Sequence, residues 1–211
     1  MVKLKSGSLL NVAVNKGKEF EQDFKQSLSL KPNLWVYRPS DFGGGQASRF
    51  TNPSLCDYMV FNKETGHLYL FELKSTQNTS ISAPPLLAHK AIVEMQNHLH
   101  DIQVKEDKKV AQQAYKELLR KANTHNIKYH QICDLSHIEN IDNTHGNIHP
   151  YFIINFRKYE RTFMITPSVL ISILKDNGKS SINIKDLEEH HALELKQERI
   201  RNTQHFTYEV L

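Results

Sequence analysis

Apolar and polar residues along the chain repeat with two different periods, and the switches between them mark the predicted elements. Phe20, Phe24 and Leu28 recur at four-residue spacing, the stripe of a helix buried along one side, and Asn15 stands where it can cap that helix. The stripe carries the helix to about Leu28. After Pro32, LWVYR (34–38) reads as a short strand, and PSDFGGGQASRFTNPS (39–54) is too rich in Gly, Ser, Asn and Pro for regular structure. Two β-prone runs follow, CDYMVFN (56–62) and HLYLFELK (67–74), separated by KETG (63–66), a hairpin turn ending in glycine. From 85 to 123 the helix formers Leu, Ala, Lys, Glu and Gln dominate, with KEDKK (105–109) as a polar break, which predicts two helices. YHQICDLSHI (129–138) reads as a further helix, and PYFIINF (150–156) and RTFMIT (161–166) as strands around a polar turn. Pro167 opens a helix through about Lys175. The remainder reads as a short helix, a charged segment and a terminal strand.

Helical and β-type patterns thus mix along 211 residues, a length that fits one domain, 1–211, with a full core. Composition narrows the setting. Hydrophobic residues at 39% exceed what a disordered chain carries. The chain shows neither the apolar region of a secretory signal nor the run of about 18 apolar residues that a membrane span needs, so a cytoplasmic protein is expected. Cys56 and Cys133 are isolated, and reduced packing residues are expected at both. The close pairs His98/His100 and His190/His191 lack the frame of a zinc site. A net charge of +4 suits a polyanionic partner without identifying one.

The candidate chemistry sits in the hairpin. If Asn62 and His67 form the first facing pair across a four-residue turn, each step back on one strand matches a step forward on the other, and Asp57 falls opposite Glu72. Facing residues share a side of the ladder, and like charges placed there repel unless a cation intervenes. Glu72 and Lys74, two apart, share that side as well. Two carboxylates and an ammonium embedded among Tyr58, Val60, Tyr69, Phe71 and Leu73 are the residue types that hold Mg²⁺ beside a phosphodiester. A solvated salt-bridge cluster on an open sheet face is the other reading of the same spacing.

Asp57-Tyr58 followed by Phe71-Glu72-Leu73-Lys74-Ser75-Thr76 resembles the D-Y and F-E-A-K-E-T pattern of RecU-type Holliday-junction resolvases, members of the PD-(D/E)xK nucleases. The likeness continues in Asn15-Lys16-Gly17 with Glu21, in Asn78-Thr79-Ser80, in His130-Gln131, and in Gly178-Lys179-Ser180-Ser181-Ile182 with Lys185-Asp186-Leu187-Glu188-Glu189. It implies an α/β, restriction-endonuclease-like fold, a central mixed β-sheet flanked by helices, in a homodimer that cuts branched DNA with Mg²⁺ or Mn²⁺. Asp57 and Glu72 would then be the metal ligands and Lys74 the catalytic lysine, with Glu21 and Gln131 beside them. Arg38, Arg49, Thr76 and Ser80 would meet DNA. Two departures stand out: a flexible glycine-rich loop (39–55) where the family carries a stalk, and a helical insertion (85–128), read as a packing or dimer element in preference to a DNA contact. A restriction-type or repair endonuclease of the same fold, and a noncatalytic DNA-binding accessory protein, are the alternatives.

Overall fold

The structure is a computed structural model and describes residues 16–39, 54–102, 105–142, 146–178 and 180–211. Asn15, Arg49, the glycine run 43–45 and nearly all of the predicted 39–55 loop lie outside these residues.

Helix α1 (Lys16–Ser29) buries Phe20, Phe24 and Leu28, the stripe the spacing predicts. Strand β1 (Leu34–Tyr37) pairs antiparallel with β2 (Tyr58–Asn62), which pairs antiparallel with β3 (Leu68–Thr76). A short strand β4 (Ser80–Ser82) leads into three helices, α2 (Leu86–Asp101), α3 (Lys105–Ala122) and α4 (Tyr129–Asp142). The chain returns as β5 (Ile148–Phe156), which lies parallel to β3. That parallel pairing requires a crossover, and β4 with the three helices supplies it. The order then runs β6 (Arg161–Ile165), α5 (Pro167–Asn177), β7 (Ser181–Asn183), α6 (Ile184–Glu189), β8 (Leu193–Arg199) and β9 (Phe206–Glu209).

Seven strands form one mixed sheet in the order β1-β2-β3-β5-β6-β8-β9, and β4 and β7 form a separate pair. On one face, Phe20, Phe24 and Leu28 of α1 share a core with Leu34 of β1, Phe71 of β3 and Tyr208 of β9. These contacts join the two edge strands through a single helix, so the sheet is curled around α1. On the other face, Leu135 of α4, Leu170, Ile173 and Leu174 of α5 and Leu187 of α6 pack on Leu70, Phe152, Ile154 and Phe163. Both faces of β5 are therefore covered, which is why YFII (151–154) reads as an unbroken apolar run.

Three readings change. The KEDKK segment is not a break: α3 begins at Lys105, and the chain turns after α2 ends at Asp101. Lys and Glu are good helix formers, so polarity alone does not stop a helix. The charged segment LELKQER is strand β8, with alternate side chains turned to solvent and Leu195 buried. Its glutamate Glu194 and Glu188 of α6 are held by Arg161, at 2.5 and 2.7 Å. The β4–β7 pair, three residues on each side, is too short to leave a period. Among the described residues, no helix is long and apolar enough to cross a membrane.

Candidate active site

The turn between β2 and β3 sets the geometry. Asn62 Oδ1 accepts from the backbone N–H groups of Glu64 and Thr65 at 3.0 and 3.3 Å, and Gly66 takes φ +74° and donates to the Asn62 carbonyl. Positive φ is costly for residues with a Cβ. Asn62 N–H then bonds the His67 carbonyl at 2.9 Å, closing the four-residue turn, and the ladder runs Phe61↔Leu68 to Tyr58↔Phe71. The ladder stops there: Asp57 does not continue it as the ladder partner of Glu72 that the turn length predicts, although the two line one pocket and the charge of Asp57 acts on Glu72. Asp57 N–H donates to the Phe71 carbonyl at 3.0 Å, and Asp57 Oδ2 accepts from Leu73 N–H at 2.7 Å. The Asp57 carboxylate thus ends the β2–β3 ladder by taking a donor from the longer strand.

Glu72 is only 3% exposed. Its Oε1 accepts from Lys74 Nζ at 2.7 Å and from Gln131 Nε2 of α4. Burial first, and then the neighbouring charge of Asp57, push its carboxyl up to about 7, against the opposing charge of Lys74 and, more weakly, of Lys128. Two carboxylates that resist joint ionisation are the mark of a place short of positive charge. Gln131 does a second job: its Oε1 accepts from Lys128 N–H at 3.0 Å, the reach-back of a glutamine at the third position of a helix. One amide therefore ties the start of α4 to Glu72.

Glu21 reaches the same place from α1, where Phe20 and Phe24 anchor the helix. It pairs with Arg38 at 3.0 Å, and Tyr58 Oη donates to its backbone carbonyl at 3.3 Å. Its carboxyl is raised by burial and by the charge of Asp57. The Arg38 guanidinium lies 5.8 Å from the centre of the Tyr58 ring. Glu21, Asp57, Glu72, Lys74 and Gln131 all line one pocket of about 250 Å³. A second cavity, between α2, α4 and α5, is lined by His89, Tyr129, Cys133 and His137 among others and has no carboxylate in its wall.

The structure therefore brings five of the expected site residues together and sets Arg38 at the rim through Glu21. Thr76 and Ser80 are not among the pocket's lining residues. Thr76 is buried, with its hydroxyl donating to the Ser80 carbonyl at 3.4 Å and accepting from Asn78 N–H at 3.0 Å, and Ser80 pairs with Asn183. Five further lining residues, Ser54, Cys56, Leu73, Lys128 and His130, were not assigned to the site from the sequence. Burial drives the Cys56 thiol up to about 12, which leaves it unreactive. His130 is turned toward its neutral form by burial, and Asn123 Oδ1 lies 3.1 Å from its Nδ1. A glutamine three places into a predicted helix was the available signal for Lys128.

As a donor set, the pocket suits a hard divalent ion that keeps waters and substrate oxygens in its shell while taking one or two carboxylates. Among the described residues there is no group of three or more His, Cys, Asp and Glu side chains that could hold a metal ion by itself. Compared with models of protein families and with curated proteins, the chain matches none.

Proposed function

We propose that the chain is a Mg²⁺- or Mn²⁺-dependent DNA endonuclease that cuts branched DNA and resolves four-way junctions, on a restriction-endonuclease-like sheet. The observation that carries this reading is the convergence of Asp57 and Glu72 on one pocket where the β2–β3 ladder ends, with Lys74 Nζ 2.7 Å from Glu72. The resemblance to RecU-type resolvases supplies the substrate class. Asp57 and Glu72 would hold the ion, which when bound polarises the scissile phosphate and acidifies water. Lys74 orients the attacking water and offsets negative charge growing on the phosphate oxygens as the new P–O bond forms and the leaving P–O bond breaks. Gln131 holds Glu72 in place for that work, and Arg38 offers a cation to DNA at the rim.

The test is a cleavage gel with labelled four-way junction, flap and linear duplex, each with Mg²⁺, Mn²⁺ or EDTA. Paired nicks in the junction are expected with either metal and none with EDTA. Asp57→Ala and Glu72→Ala are expected to lose cleavage and keep DNA binding, since the carboxylates hold the ion rather than the duplex. Cleavage that survives EDTA or either substitution refutes the proposal. Preferred cutting of linear duplex at defined sites turns it to a duplex endonuclease.

A further inference from the structure

One cation lining the pocket has no part in the metal chemistry. Lys74 is paired with Glu72 and Arg38 with Glu21, each at 3.0 Å or less. Lys128, on the opposite wall at the entrance to α4, has no ion pair among the described residues, and its side chain is exposed. Its place is nevertheless fixed, because its backbone N–H is held by Gln131, which also holds Glu72. Its ammonium is near enough to act electrostatically on Glu72 and on His130.

We propose that Lys128 is a DNA phosphate-binding residue that grips the phosphate next to the scissile one, so that the strand is held at two successive phosphates by Lys74 and Lys128, which line the same pocket as Glu72. The inference rests on the endonuclease reading and adds a subsite to it. An exposed ammonium with no ion pair among the described residues, anchored through its own backbone beside the buried Glu72, serves a substrate anion better than it serves the fold. Two grips along one strand also set the direction in which that strand crosses Asp57 and Glu72. The second grip fixes position and leaves bond breaking to the first, so its loss should appear in substrate binding more than in turnover.

The experiment is a salt titration of binding to a labelled four-way junction with Ca²⁺ in place of Mg²⁺, using wild type, Lys128→Ala and Lys128→Arg. Loss of one phosphate contact lowers the slope of log K against log salt by roughly 0.9. Lys128→Ala is expected to show that drop, with KM raised several-fold in Mg²⁺, kcat within about threefold, and an unchanged melting temperature; Lys128→Arg is expected to restore the slope. A wild-type slope in Lys128→Ala, or a loss confined to kcat, overturns the assignment. If wild type binds the junction but cuts no DNA with Mg²⁺ or Mn²⁺, the endonuclease reading falls while the slope still decides Lys128. If wild type binds no DNA, both fall.

Discussion

Glu72 is under opposing demands at the residue scale, since metal binding needs its carboxylate and burial beside Asp57 favours its acid form. A carboxyl raised to about 7 binds its proton more tightly in the folded chain than in the unfolded one. Its contribution to stability is then complete below about pH 4.5 and is lost as pH rises through about 7. Without divalent ion, the melting temperature is expected to fall between about pH 5 and pH 8, and Glu72→Gln to remove part of that slope, worth roughly 2 kcal/mol. Mg²⁺ should protect wild type more at the upper end of this range, where it competes with fewer protons. An identical pH slope in wild type and Glu72→Gln would count against a titrating buried carboxyl. Lys74 bears on the same group from the other side. Lys74→Ala is expected to cut kcat by at least ~10²-fold and to move the rising limb of the pH–rate profile to higher pH, because Glu72 loses the cation that opposes its burial. If weaker Mg²⁺ binding at high pH proves to be the main effect, Lys74 acts in holding the ion and not in the chemical step.

Elements explain which parts of the site were legible in the sequence. A four-residue turn closed by Gly66 fixes the register of β2 on β3 as far as Tyr58 and Phe71, and the next residues, Asp57 on one strand and Glu72 and Lys74 on the other, line one pocket. Nothing of that kind connects α1 or α4 to the hairpin. Periodicity tells which side of α1 is buried but not what lies beyond its edge, so Glu21 and Gln131 were reached through resemblance, and Lys128 was missed. Thr76 shows the opposite error: a polar residue two places after the lysine is buried, and its hydroxyl serves the local turn instead of facing the pocket. Likewise β8 was hidden because a curled sheet leaves one side of its later strands in water, where charges are allowed. Gln131 is where two elements depend on one side chain. Gln131→Ala removes a partner of Glu72 and the reach-back bond at the start of α4 together. It is expected to lower activity ~10- to 100-fold and stability by about 1 kcal/mol, measured by steady-state kinetics and thermal melting on the same preparation. Full activity despite a lowered melting temperature would leave Gln131 with the helix alone.

At the scale of the whole molecule, the described residues of one chain assemble this pocket from α1, the β2–β3 hairpin and the start of α4. A four-way junction has a twofold arrangement of strands, and resolving it takes a cut at each of two symmetric positions. A homodimer supplies two equivalent pockets related by the same symmetry. Light scattering is expected to give twice the 24.5 kDa of one chain, both free and on junction DNA. Mixed dimers make the sharper test, because they separate having two pockets from needing both. If wild type is co-refolded with an excess of Asp57→Ala, most wild-type subunits sit beside a partner that cannot cut. Such dimers are expected to nick one strand of the junction and to release few resolved duplexes, whereas an equal amount of undiluted wild type gives paired cuts. At constant total dimer, resolved product should then follow the square of the wild-type fraction, while single nicks, at low wild-type fraction, fall only in proportion to it. A monomer on junction DNA, or resolved product that falls linearly with dilution, would mean that each pocket acts alone, and a nicking enzyme would fit the site better than a resolvase.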